Sequence, residues 1–162
     1  MIAEAAHTNK LTLYYNFESK DVLIVEYLRR LAADTEKEWE AIVGEDPDNS
    51  REPCLALLRL ATSMCSNSDR GEGDFINAIA QLAEPDHPAH KVIQEHKRKQ
   101  RKLIALFCWK LGIEDPDEIA DQVLLLIEGA CVSLQISGPD GPGSRLLSLI
   151  ENLLTPKLKV DS

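Results

Sequence analysis

Residues 12–23 read "TLYYNFESKDVL". Tyr14, Tyr15 and Phe17 fall within four positions, although the whole chain holds only three Tyr, three Phe and two Trp. Ser19 follows them closely, with Asp21 just beyond. A serine at a helix start can accept from an orphan backbone N–H, and an acid in the first turn meets the positive end of the helix dipole. A long helix is therefore predicted over about residues 20–43, with Val22, Leu23, Tyr27, Leu28, Leu31, Ala32 and Trp39 as its core-facing stripe. Gly44 and Asp46-Pro47-Asp48 close it.

Upstream, Ile2 to Ala6 reads as a short apolar helix, His7-Thr8-Asn9 as a break, and Lys10 to Asn16 as a second short helix. Two short helices, a tight break and a following cap make a helix-turn-helix. In that motif the second helix enters the major groove while its neighbours touch phosphates. Leu13 and Phe17 are four apart and share the inward face. Thr12, Tyr15 and Asn16 share the other face, flanked by Lys10 and Lys20.

Ile2 to Ala32, "IAEAAHTNKLTLYYNFESKDVLIVEYLRRLA", resembles the DNA-binding segment of the tetracycline-repressor (TetR) family of bacterial transcription regulators. About thirty residues carry the resemblance without gaps. It implies base or phosphate contacts from Asn9, Lys10, Thr12, Tyr15, Asn16 and Lys20, with Tyr14 and Phe17 bracing a headpiece that has little core of its own. His7 stands where the family favours Gly, Leu11 replaces a small residue, and Asn16 replaces His. The family also has a helix before the one that begins at Ile2, so the headpiece expected here is truncated. Residues 1–33 are thus expected to be an incomplete headpiece leading into a linker helix, and residues 34–162 a helical sensor and dimerisation domain.

The rest of the chain keeps a helical period, with no strand-like alternation. Helices are expected at about 51–67, 75–83, 88–111 (Asp86 as its cap), 116–136 behind Asp115-Pro116, and up to Leu154 behind Ser144. The fold class is all-α. The composition is that of an ordinary soluble domain, with 44% hydrophobic and 28% charged residues. A net charge of −9 disfavours unspecific attraction to polyanions or anionic membranes. Cys54, Cys65, Cys108 and Cys131 include no C-x-x-C pair and read as reduced core residues of a cytoplasmic protein. The apolar run Ile119 to Ile136 is interrupted by Asp121 and Glu128, so a core or interface helix is expected there and no membrane partner.

The last two helices are apolar on more than one face and need cover from a second copy. Leu124, Ile127, Cys131, Leu134, Leu146, Leu149, Ile150 and Leu153 are the candidate homodimer interface. Met64, Cys65, Phe75, Ile79, Phe107 and Trp109 are candidate walls of a small-molecule site, with Gln81, Gln100 or Ser133 as polar contacts, although ordinary core explains the same residues. The resemblance adds weight to the ligand, because family members generally sense small molecules with these helices. The histidines His87, His90 and His96 lack a helical ligand spacing, so no metal is expected. "HKRKQRK", residues 96–102, reads as a solvated face with a Glu95–Lys99 pair. No phosphate loop, nucleophile elbow or Cys-His pairing is present, and neither an enzyme nor a cofactor is expected. The expected function is a DNA-binding, ligand-responsive repressor acting on a double-stranded operator. The alternative is a ligand-binding, dimerising relative that has lost operator binding.

Overall fold

The computed structural model describes residues 17–44, 53–66, 72–82 and 84–155. Among them there is no strand, and the all-α expectation is borne out. Six α-helices follow one another: α1 (Lys20–Gly44), α2 (Pro53–Ser66), α3 (Glu72–Gln81), α4 (Pro88–Lys110), α5 (Pro116–Ser137) and α6 (Leu146–Leu154). A 3-10 turn, Pro142–Arg145, leads into α6.

The helix starts follow local chemistry. Ser19 Oγ accepts from Val22 N at 3.1 Å, as its place before Asp21 predicts. Asp115 Oδ1 accepts from Glu118 N at 3.1 Å and Pro116 opens α5. Two starts differ from expectation. His87, not Asp86, caps α4, with Nδ1 accepting from Ala89 N at 3.1 Å. Ser144 does not cap α6: it lies inside the 3-10 turn and its hydroxyl donates to Gly141 O at 2.8 Å.

Two hydrophobic clusters hold the helices together. The larger joins Trp39 of α1 to Leu57 and Leu60 of α2, Ile104 and Phe107 of α4, Ile119, Val123 and Ile127 of α5, and Ile150 and Leu154 of α6. The smaller joins Val25, Leu28, Leu31 and Ala32 of α1 to Phe75 of α3 and Ala89 and Ile93 of α4. Burying each large side chain removes it from water at a gain of about 1.5–3 kcal/mol. The stripe of α1 is narrower than expected. Val22 and Tyr27 are exposed, and Tyr27 donates its hydroxyl to Asp74 of α3 instead.

By length and composition α5 alone, among the described helices, could cross a membrane. Here its inner face packs against the rest of the helical body through Ile119, Ala120, Val123, Ile127, Ala130 and Cys131. The 3-10 turn presses on the end of the same helix, where Gly143 N donates to Ser133 Oγ at 3.1 Å. A Cβ on Gly143 would meet Ala130 O at 2.7 Å and Leu134 Cγ at 2.8 Å. Backbone cannot yield as a flexible side chain does. Gly143→Ala is therefore expected to cost about 1–3 kcal/mol, read as a lower urea midpoint at unchanged m.

Candidate functional site

The two hydrophobic clusters meet at a polar seam. His96 of α4 is only 1% exposed, although imidazole is a polar ring. It stacks on Phe75 of α3 at 4.2 Å and 15°, and lies 4.9 Å from the Trp39 ring of α1. One helical turn further on, Gln100 is fully buried, and its Nε2 donates to Met64 Sδ of α2 at 3.0 Å. Four helices thus deliver one residue or more to a single cluster. Trp39 Nε1 and both ring nitrogens of His96 are buried without a hydrogen-bond partner among the described residues. Such atoms are costly to bury and normally find partners.

An ion pair lies above the seam. Lys99 Nζ donates to both Glu36 oxygens, at 2.9 and 2.7 Å, bridging α4 and α1. On one side a groove of about 390 Å³ is lined by Arg29, Ala32, Glu36, Val92, His96 and Lys99. On the other, a groove of about 490 Å³ is lined by Glu36, Trp39, Glu40, Val43, Lys99 and Leu103. Burial pushes the His96 imidazole down to about 4, more strongly than the nearby Glu36 carboxylate draws it up, and Lys99 adds to the depression. At neutral pH the ring is uncharged. It then offers one N–H donor and one bare nitrogen acceptor, while Trp39 Nε1 offers a donor.

The comparisons with known proteins agree with this architecture. No family model matches the chain. The HTH-type transcriptional regulator YjdC of Escherichia coli (strain K12) is 26% identical over 134 residues, covering 82% of this chain and 69% of the relative. The regulator of the same name from Shigella flexneri gives the same figures. The crystal structure of a TetR-family transcriptional regulator from Streptomyces coelicolor superposes with a TM-score of 0.81 at 23% identity, over 98% of this chain and 83% of that one. The chain has the TetR fold. The resemblance first legible in residues 2–32 therefore extends, as fold, over the whole helical body.

Within the TetR fold the expected site residues fall into three groups. Of the expected DNA contacts, Asn9, Lys10, Thr12, Tyr15 and Asn16 lie outside the described residues, and Lys20 is exposed at the first position of α1. Of the expected ligand walls, Phe75 stacks on His96, and Met64 accepts from Gln100 one turn further along the same polar seam. Phe107 is ordinary core. Cys65 sits half-buried against Cys131. Ile79 and Trp109 face outward, Trp109 at 66% exposure, so neither lines a wall. Ser133 is engaged with the backbone of Gly143, and Gln81 is exposed at the end of α3.

His96, Trp39, Glu36 and Lys99 were not among the expected site residues. The signal was present in α4: Ile93, His96, Gln100, Ile104 and Phe107 are spaced by three and four, and all are buried. Reading "HKRKQRK" as one solvated face concealed it. The run's charges clamp α4 to its neighbours instead. Lys99 pairs with Glu36 rather than Glu95, Lys97 with Glu128 at 2.7 Å, and Arg101 with Asp117 at 2.8 Å and with Asp121.

The expected dimer residues divide as well. Ile127, Cys131, Leu146 and Ile150 point into the subunit's own core, because α5 and α6 pack on α2 and α4 through that side. Leu124, Leu134 and Leu153 are half-buried and Leu149 is exposed. The outward face of α5 carries Leu125 and Ile136, 68% and 79% exposed, with Gly129 and Val132 between them. These four positions recur at four, three and four, which is one helical seam.

Proposed function

We propose that the chain is a dimeric, DNA-binding transcription repressor of the cytoplasm that responds to a small molecule received at the α1–α4 seam. One observation carries this reading. The likeness to a TetR-family regulator spans 98% of the chain, and α1 begins where the helix-turn-helix run ends. The names of the curated relatives point to the same work. The net charge of −9 does not oppose it. Residues 1–33 hold four acids and four bases, so the whole excess lies on the body, away from the reading head.

The unpaired groups of Trp39 and His96 suit a flat or apolar effector that carries hydrogen-bonding atoms of both kinds. It would lie against the rings of Trp39 and Phe75 once Lys99 and Glu36 part. Both walls of the groove lead to the start of α1. α1 runs straight to Lys20, and His87 at the start of α4 lies 3.4 Å from Asp21 in the first turn of α1. An effector that binds one α1–α4 spacing better than another shifts the spacing of two heads. The dimer would form on the Leu125–Gly129–Val132–Ile136 seam of α5 together with Leu149 of α6, where Gly129 leaves open space for a close helix approach. No catalytic role is assigned.

Selection of duplexes from a random pool tests the reading. Tyr15→Ala is expected to weaken binding to the selected duplex at least about tenfold, as loss of a base contact does. Lys20→Ala is expected to weaken all duplexes alike and to lower the salt slope by about one. A dimer that enriches no duplex would favour the alternative, a relative that senses without gripping DNA.

A further inference from the structure

Cys65 and Cys131 are 66 positions apart, on α2 and α5, yet their sulfurs lie 2.9 Å apart. Both are free thiols; Cys65 is half-buried and Cys131 buried. Cys65 Sγ also lies 3.6 Å from Ile127 O, and Cys131 Sγ 3.9 Å from Met64 O, so each sulfur is held against the other's helix. A disulfide bond is about 2.05 Å long, so closure asks the sulfurs to move by less than about 1 Å. A metal ion held between two thiolates would keep them farther apart, at roughly 3.8 Å for tetrahedral zinc. Among the described residues there is also no group of three or more potential ligands to complete such a site.

We propose that Cys65 and Cys131 are an oxidisable dithiol that a hydroperoxide converts into a reversible intrachain disulfide joining α2 to α5. The Cys65 thiolate sulfur attacks one peroxide oxygen and the O–O bond breaks. The departing hydroxide takes up a proton, and Cys65, oxidised by two electrons, becomes a sulfenic acid. The Cys131 sulfur then attacks the Cys65 sulfur. The S–O bond breaks, and the hydroxyl leaves as water with the Cys131 proton. With hydrogen peroxide the products are one disulfide and two waters. An external thiol reverses the step by exchange.

The roles follow from position. Cys65 is the less buried of the two residues. The hydrogen bond from Cys131 holds the Cys65 thiol below the ordinary range, against the opposing effect of burial. The same contact, then burial, pushes Cys131 up. Cys108 has no such neighbour: burial alone pushes it up to about 11, which makes it an internal control. Closure would also fix Met64, the residue before Cys65, as a wall of the His96 seam. None of this depends on DNA binding.

The test uses the reduced full chain, hydrogen peroxide, alkylation and non-reducing peptide mapping. The expected product is a Cys65–Cys131 cross-linked peptide, lighter by two hydrogens, restored by dithiothreitol, with Cys108 still alkylated. Cys131→Ser is expected to leave a Cys65 sulfenic acid that dimedone traps. Cys65→Ser is expected to slow peroxide-driven thiol loss at least about tenfold. Folding of each variant is checked by its helical circular dichroism, and the wild-type map decides the matter without them. Equal oxidation rates at Cys65 and Cys108, a cross-link through Cys54, or a cross-link between chains would each overturn the proposal.

Discussion

Phe75→Ala is expected to destabilise the chain by about 3–5 kcal/mol, more than half of the stability of a marginal domain. Phe75 is fully buried, closes the smaller hydrophobic cluster and supplies the ring on which His96 stacks. Removing it loses the transfer energy of the ring and leaves a cavity that the surrounding helices fill only in part. Urea unfolding followed by circular dichroism gives the value. Ile79→Ala, on the exposed side of the same helix, is expected to stay within about 0.5 kcal/mol of wild type. Equal losses at the two positions would mean that α3 does not dock through Phe75.

His96 governs the second large effect, a dependence on pH. Its folded value of about 4 lies below the ordinary 6.5. The unfolded chain therefore binds a proton that the folded chain refuses between those two values. Stability is full above pH 6.5, falls as pH drops from 6.5 to about 4, and changes no further from this group below that. The depression corresponds to about 3 kcal/mol lost across the window. Many carboxylates titrate nearby, so the measurement is the difference in unfolding free energy between wild type and His96→Leu at each pH. The difference is expected to tilt towards the variant by about 3 kcal/mol from pH 7 to pH 4. A difference that does not change with pH would place His96 in contact with water. An effector held by the neutral ring would be released only as pH falls through about 4, where the folded ring takes up its proton.

The legible parts of the fold were those governed by local rules. Ser19 and Asp21, or Asp115 and Pro116, declare a helix start through backbone groups only a few residues away. The end of α5 was read to within a residue or so for a similar reason, since Gly138 supplies the positive φ that stops it. Contacts between helices are not local, and here the reading was partial. Met64, Phe75 and Gln100 could be picked as apolar or amide residues on middle helices, but nothing in their order shows that they border one seam along α4. His96 was hidden for a different reason. It shares "HKRKQRK" with five cations, and composition masked the three-and-four spacing that turns it inward. On α5 the apolar residues were rightly too many for one face. Which of them face the subunit's own core depends on where α2 and α6 lie, so Ile127 and Cys131 could not be separated from Leu125 and Ile136 by sequence alone.

The decisive measurement is the mass of the complex between the full chain and a selected duplex, taken by sedimentation or native mass spectrometry. Two chains on one duplex is the expected result, because two heads about 34 Å apart meet successive major-groove faces. Ile136→Glu, on the open seam of α5, is expected to abolish that complex while the helices remain folded. A single chain bound to DNA, or a stable dimer that takes up no duplex at any salt concentration, would contradict the reading of this protein as a paired DNA reader.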